Sequence, residues 1–192
     1  MSGNWEDDKS WSDGLMGEVK KILATHLIRI GNRDEDRSEN TDLVVFKSDA
    51  GHRIACRIRR NFYFRNPRYR EEFTMRRSRP YGNKTELAKV LEGWGDYFFY
   101  GFASEDGKAL AGWSLLDLAV FRKWWNEYPA THGGEHPGTC LPNQDGSSDF
   151  VVYSLSDFPV EGVLGRWPEK KDVAAIAKAT GNPDDNVLDL FE

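Results

Sequence analysis

Cysteine is scarce in this 192-residue sequence: Cys56 and Cys140 are the only two, far apart in the chain. Two thiols so separated do not make a disulfide framework, and a chain of this length buries roughly 70% of its unfolded surface without needing one. No apolar run approaches the roughly 20 residues of a membrane-spanning helix. The opening residues, MSGNWEDDKS, lack the basic-then-apolar pattern of a signal peptide. The expectation is a cytoplasmic protein with no membrane role. No GxSxG occurs, and EGWGDYFFYG has neither a third glycine nor a following Lys-Ser/Thr pair. Gly93 and Gly95 therefore read as a helix stop and not as a phosphate cradle. Lysine is missing from residues 53–79, which is the most informative absence of all.

That segment holds ten arginines (53, 57, 59, 60, 65, 68, 70, 76, 77 and 79) against Glu71 and Glu72, a balance of +8 in a chain of net charge −5. Both flanks are acidic. Arginine without lysine favours planar, bidentate contacts with phosphate or carboxylate. The competing use is neutralisation of the acidic remainder of the same molecule. Phe62, Tyr63, Phe64 and Tyr69 interleave with Arg60, Arg65, Arg68 and Arg70. Single-stranded nucleic acid is bound by such pairings of stacking rings and cations, although aromatic runs also serve as core or lid.

Periodicity predicts a frayed polar lead over 1–13, in which Trp5 and Trp11 are positioned to dock, a single α/β domain over 14–165, and a C-terminal helix with an acidic tail over 166–192. Leu15, Val19, Ile22, Leu23, Leu27 and Ile30 fall at helical spacing within 14–30. A hairpin with its turn at 48–52 follows. Its second strand alternates Ile54, Cys56 and Ile58 with Arg53, Ala55, Arg57 and Arg59, and a further strand alternates Phe73 and Met75 with Thr74 and Arg76. Thr85 caps a helix with Leu87, Val90 and Leu91 inward. A buried strand over 96–103, a strand-to-helix passage over 112–128, a loop over 129–148 and a last strand from Asp149 complete the domain.

The order of helix with Glu18, strand with Asp42, strand with paired side chains at 57 and 59, strand, helix and strand resembles the PD-(D/E)xK nuclease superfamily. The resemblance implies a restriction-endonuclease-like fold, a central mixed β-sheet flanked by helices. In that family a helix acid, a strand Asp and an acid-x-Lys pair converge on Mg²⁺, which activates water and stabilises the phosphorane. Glu18 matches the helix acid and Asp42 the strand Asp. The acid-x-Lys pair falls on Arg57-Ile58-Arg59. An arginine in place of a ligating carboxylate repels the cation, so the resemblance implies a degenerate metal site with no metal ligand assigned.

Two outcomes stay open. Either the carboxylate has migrated to Glu86, with Lys89 one turn on, or to Glu72 as a second candidate, and Mg²⁺-dependent cleavage survives; or Arg57, Arg59, Arg60 and Arg76 form a nucleic-acid-binding face without metal. In the latter, salt bridges to Glu18, Asp42 and Asp96 are the competing use of the arginines. The implied partner is nucleic acid, DNA ahead of RNA. The alternative from another class is a non-catalytic interaction or inhibitory factor of a mobile element, whose arginines dock an acidic protein. His132, His136 and Cys140 are metal-ligand types at four-residue spacing, but they lack a fourth ligand nearby and sit in a glycine-rich loop.

Overall fold

A nearly continuous apolar run along Tyr97–Ala103 places large side chains on both faces of one strand, and the architecture is built around it. The computed structural model describes residues 5–26, 28–30, 43–45, 52–79, 84–143, 146 and 148–168. In chain order these form α1 (Trp5–Gly14), α2 (Met16–His26), β1 (Ile28–Ile30), β2 (Leu43–Val45), β3 (Ile54–Arg59), α3 (Asn61–Arg65), α4 (Pro67–Arg70) and β4 (Glu72–Ser78). There follow α5 (Glu86–Leu91), β5 (Tyr97–Ala103), β6 (Leu110–Asp117), α6 (Leu118–Thr131), β7 (Thr139–Pro142), β8 (Asp149–Ser154), a 3₁₀ turn (Val160–Gly162) and β9 (Val163–Trp167).

The fold is mixed α and β. A four-stranded sheet runs β3-β5-β6-β9, with β3 parallel to β5 and the other pairs antiparallel. A separate antiparallel sheet runs β4-β8-β7. Phe98, Tyr100 and Phe102 of β5 face the second sheet and pack in one core with Phe73, Met75, Val151 and Tyr153. Leu87 and Val90 of α5 and Leu118 and Phe121 of α6 close that core. Phe99 points the other way, and with Leu115 it meets Val19 and Leu23 of α2. β5 is thus covered on both faces, which is why its apolar run is nearly continuous.

The alternations predicted for β3 and β4 hold. Ile54 and Ile58 pack on the α2 side and Ala55 on the other. Phe73 and Met75 are fully buried. The strand-to-helix passage resolves into β6 and α6, joined at Asp117, whose Oδ1 accepts hydrogen bonds from Ala119 N (2.7 Å) and Val120 N (3.2 Å). Asp117→Ala leaves these two amides without their cap and is expected to cost about 1 kcal/mol in urea unfolding. Asp117→Asn, which keeps the acceptor, retains most of that stability.

Several expectations need correction. Residues expected to fray form α1, and Trp11 lies against the Arg60 guanidinium, 4.6 Å from the ring centre. The predicted helix over 14–30 stops at His26, because the alternating Ile28-Arg29-Ile30 pairs with β2 as a strand. Among the described residues β2 pairs with β1, and β4 joins the sheet of β8 and β7, so the strands expected in one central sheet fall in three. Leu91 is 37% exposed at the end of its helix instead of inward. The loop over 129–148 contains the last turn of α6 and β7. Gly138, at φ +87°, makes β7 possible: a Cβ there would meet Val152 O at 2.7 Å. β8 is not the last strand, since β9 pairs with β6 and carries the sheet to Trp167, past the boundary predicted at 165. Asp42, residues 48–51 of the predicted turn and the C-terminal helix and acidic tail lie outside the described residues. No helix among the described residues is long and apolar enough to cross a membrane.

Candidate nucleic-acid interface

β3 and β4 are each the edge strand of their sheet. Charges on edge strands ordinarily discourage strand addition. Here they do so around a shared concavity. A cleft of about 510 Å³ is lined by Arg57 and Arg59 from β3, Arg60 from the β3–α3 junction and Arg76 from β4, together with Trp11, Tyr63 and Glu86. All four arginines singled out in the sequence therefore reach one cavity.

Their local partners differ. Arg57 Nη2 pairs with Glu86 Oε2 at 2.9 Å, and Arg57 Nη1 donates to Thr74 Oγ1 at 3.3 Å. The same Glu86 oxygen accepts the backbone N–H of Arg76 at 3.2 Å. Arg59 rests on the face of Tyr63, 3.8 Å from the ring centre, and among the described residues it has no carboxylate within ion-pair distance. A guanidinium stacked on a ring keeps its in-plane donors available. Thr74 Oγ1 lies 3.2 Å from the Tyr100 hydroxyl. Burial holds the Tyr100 phenol above its ordinary pKa, outweighing the opposing pull of Arg59 and Arg57, so it remains a neutral O–H. Desolvation also pushes up the Cys56 thiol, which lines the cleft and adds no negative charge.

The predicted alternative of internal neutralisation describes part of the arginine segment. Arg53 pairs with Asp96, Arg65 with Glu105, and Arg68 with Glu72. The carboxylate that meets Arg57 is Glu86, from none of the three positions expected. Asp96 instead accepts the backbone N–H of Arg53 at 2.7 Å. Glu18 does not line the cleft, and Lys89 is exposed away from it.

A Mg²⁺ ion does not fit the described residues. Among the described residues Glu86 is the one carboxylate on the cleft wall, and a guanidinium already occupies its coordinating oxygen. Four neighbouring arginines oppose a divalent cation. Among the described residues no three His, Cys, Asp or Glu side chains are grouped to hold a metal ion. The His132, His136 and Cys140 set is dispersed as well. His132 stacks on Tyr128, His136 stacks on Trp125, and Cys140 Sγ lies 3.1 Å from Arg77 Nη1.

Trp11, Thr74 and Tyr100 are the site residues that sequence reasoning did not single out. Thr74 carried one signal, a hydroxyl between two core residues on the strand face it shares with Arg76. Comparison of the chain with protein-family models, with curated proteins and with solved structures finds no match.

Proposed function

We propose that this chain binds nucleic acid through the cleft between β3 and β4, without a standard metal-dependent cleavage site. The observation that carries the reading is the convergence of Arg57, Arg59, Arg60 and Arg76, from two edge strands and a junction, on one cavity whose lining holds a single carboxylate among the described residues. Edge charges that only blocked aggregation would not need to converge. A restriction-endonuclease-like ancestry belongs to the same proposal. The order α2, β2, β3, β4, α5, β5 supports it, whereas the pairing of β2 with β1 and of β4 with β8 departs from a single central sheet.

A fluorescently labelled single-stranded oligonucleotide, titrated in EDTA, tests the proposal. If each of the four arginines meets a phosphate, counterion release from a single strand gives a logarithmic salt slope near −2.8. Affinity then falls roughly 50-fold between 50 and 200 mM salt. Absence of binding at 50 mM salt defeats the proposal. Binding that is retained but indifferent to salt defeats the assignment of the arginines to phosphates.

A further inference from the structure

A second cavity, of about 450 Å³, shares Arg59 and Tyr63 with the arginine cleft. Its chemistry is different. Phe62, Tyr63, Tyr69, Phe102 and Phe150 present ring surface to it. Volume and lining fall within the range of small-molecule sites, which are mostly apolar with a few convergent polar groups. Those polar groups are in place. One of the two hydroxyl hydrogens of Thr74 and Tyr100 is used in the bond between them, and Arg57 donates to Thr74 from behind. Thr74 and Tyr100, 6% and 3% exposed, both belong to the cavity wall, and the remaining hydroxyl hydrogen has no acceptor among the described residues. Glu72 also lines the wall, held by Arg68 at 2.9 Å. A flat, uncharged ring carrying a carbonyl and an N–H satisfies this set.

Resting on the nucleic-acid reading above, the geometry points to a pocket for one unstacked nucleobase, with Arg59 at the seam taking the phosphate of the same nucleotide. Arg57, Arg60 and Arg76 hold the neighbouring phosphates in the cleft. The preferred ligand is therefore a single strand, since a base paired within a duplex cannot enter the cavity while its phosphate stays on Arg59. Four arginines exceed what one mononucleotide requires, which commits the site to a strand and not to a free nucleotide. Phe62 is 71% exposed at the rim and is the ring most available to stack on an incoming base.

The test compares oligothymidylate, an abasic strand of equal length and a thymidylate duplex, with free thymidine monophosphate as a competitor. Oligothymidylate is expected to bind at least 5-fold more tightly than the abasic strand, in keeping with base–aromatic stacking in other single-strand binders. Phe62→Ala, and Leu141→Trp at a further residue of the same wall, are both expected to remove most of that difference while leaving abasic binding, which uses the arginine cleft, and the unfolding midpoint unchanged. Equal affinity for oligothymidylate and the abasic strand overturns the base pocket while leaving the arginine cleft standing. Tighter binding of duplex than of single strand overturns it equally. Displacement by the mononucleotide at equal nucleotide concentration overturns the commitment to a strand, and failure of every oligonucleotide to bind removes the cleft and the pocket together.

Discussion

Phe73→Ala is expected to lower the unfolding free energy by about 3–5 kcal/mol, read as a fall in urea midpoint at unchanged slope. Phe73 is fully buried, and its ring stacks on Tyr153 at 5.0 Å between centres. It also meets Phe158 at 5.7 Å, Phe121 at 6.2 Å and Phe98 at 6.4 Å. Those four rings come from the β8 sheet, the segment after it, α6 and the β5 sheet. One side chain therefore fastens the two sheets and a helix to each other. Surrounding aromatics are too large and too mutually engaged to close over the void, which places the cost toward the upper part of the range for large-to-small changes. A domain of this kind is stable by roughly 5–15 kcal/mol, so the variant loses a substantial fraction of its stability. Phe62→Ala is the control: with that ring 71% exposed, the change is expected within about 0.5 kcal/mol. A loss below about 1 kcal/mol at Phe73 contradicts a core shared by the two sheets.

How much of this was legible in the sequence depends on the range of the interaction. β3 and β4 are visible because alternation is a local signal and β5 because its apolar run is, and Phe73, Thr74 and Met75 fall on the faces that a period of two assigns them. α5 is visible because Thr85 caps it and Gly93 and Gly95 end it with positive φ. β9 is hidden because VLGRW is short, contains glycine and owes its existence to pairing with β6 some fifty residues earlier. α1 is hidden because polar and acidic residues dominate it, and the visible reason for its placement, the contact of Trp11 with Arg60, is tertiary. The site divides in the same way. Composition marks the arginines, and strand geometry places Arg57 and Arg59 together. That Arg57 pairs with Glu86, or that Phe150 and Leu141 wall a cavity opposite Tyr63, follows from how two sheets meet, and no window of sequence contains it.

Arg59→Glu is expected to weaken oligonucleotide binding about 100-fold at 50 mM salt. Arg59 lines both cavities and has no carboxylate partner among the described residues, so its donors are available to phosphate. A charge-assisted hydrogen bond contributes about 1.5–3 kcal/mol, and reversing the charge adds repulsion from the same phosphate, for a total near 3 kcal/mol. Arg59→Gln separates charge from fold: no ion pair among the described residues is broken and only the stacking on Tyr63 is lost, so stability is expected to fall by no more than about 1 kcal/mol while binding still falls. Glu86→Gln works in the opposite direction. The amide oxygen continues to accept the Arg76 N–H, the Arg57 guanidinium is released from its counterion at 2.9 Å, and affinity is expected to rise about 3- to 10-fold. A nuclease whose catalytic acid had migrated to Glu86 predicts something else: cleavage in Mg²⁺ or Mn²⁺ that Glu86→Gln abolishes. Greater affinity together with no metal-dependent cleavage in the parent assigns Glu86 as a counterion that tempers an anion site; cleavage lost on the same substitution returns it to a catalytic role.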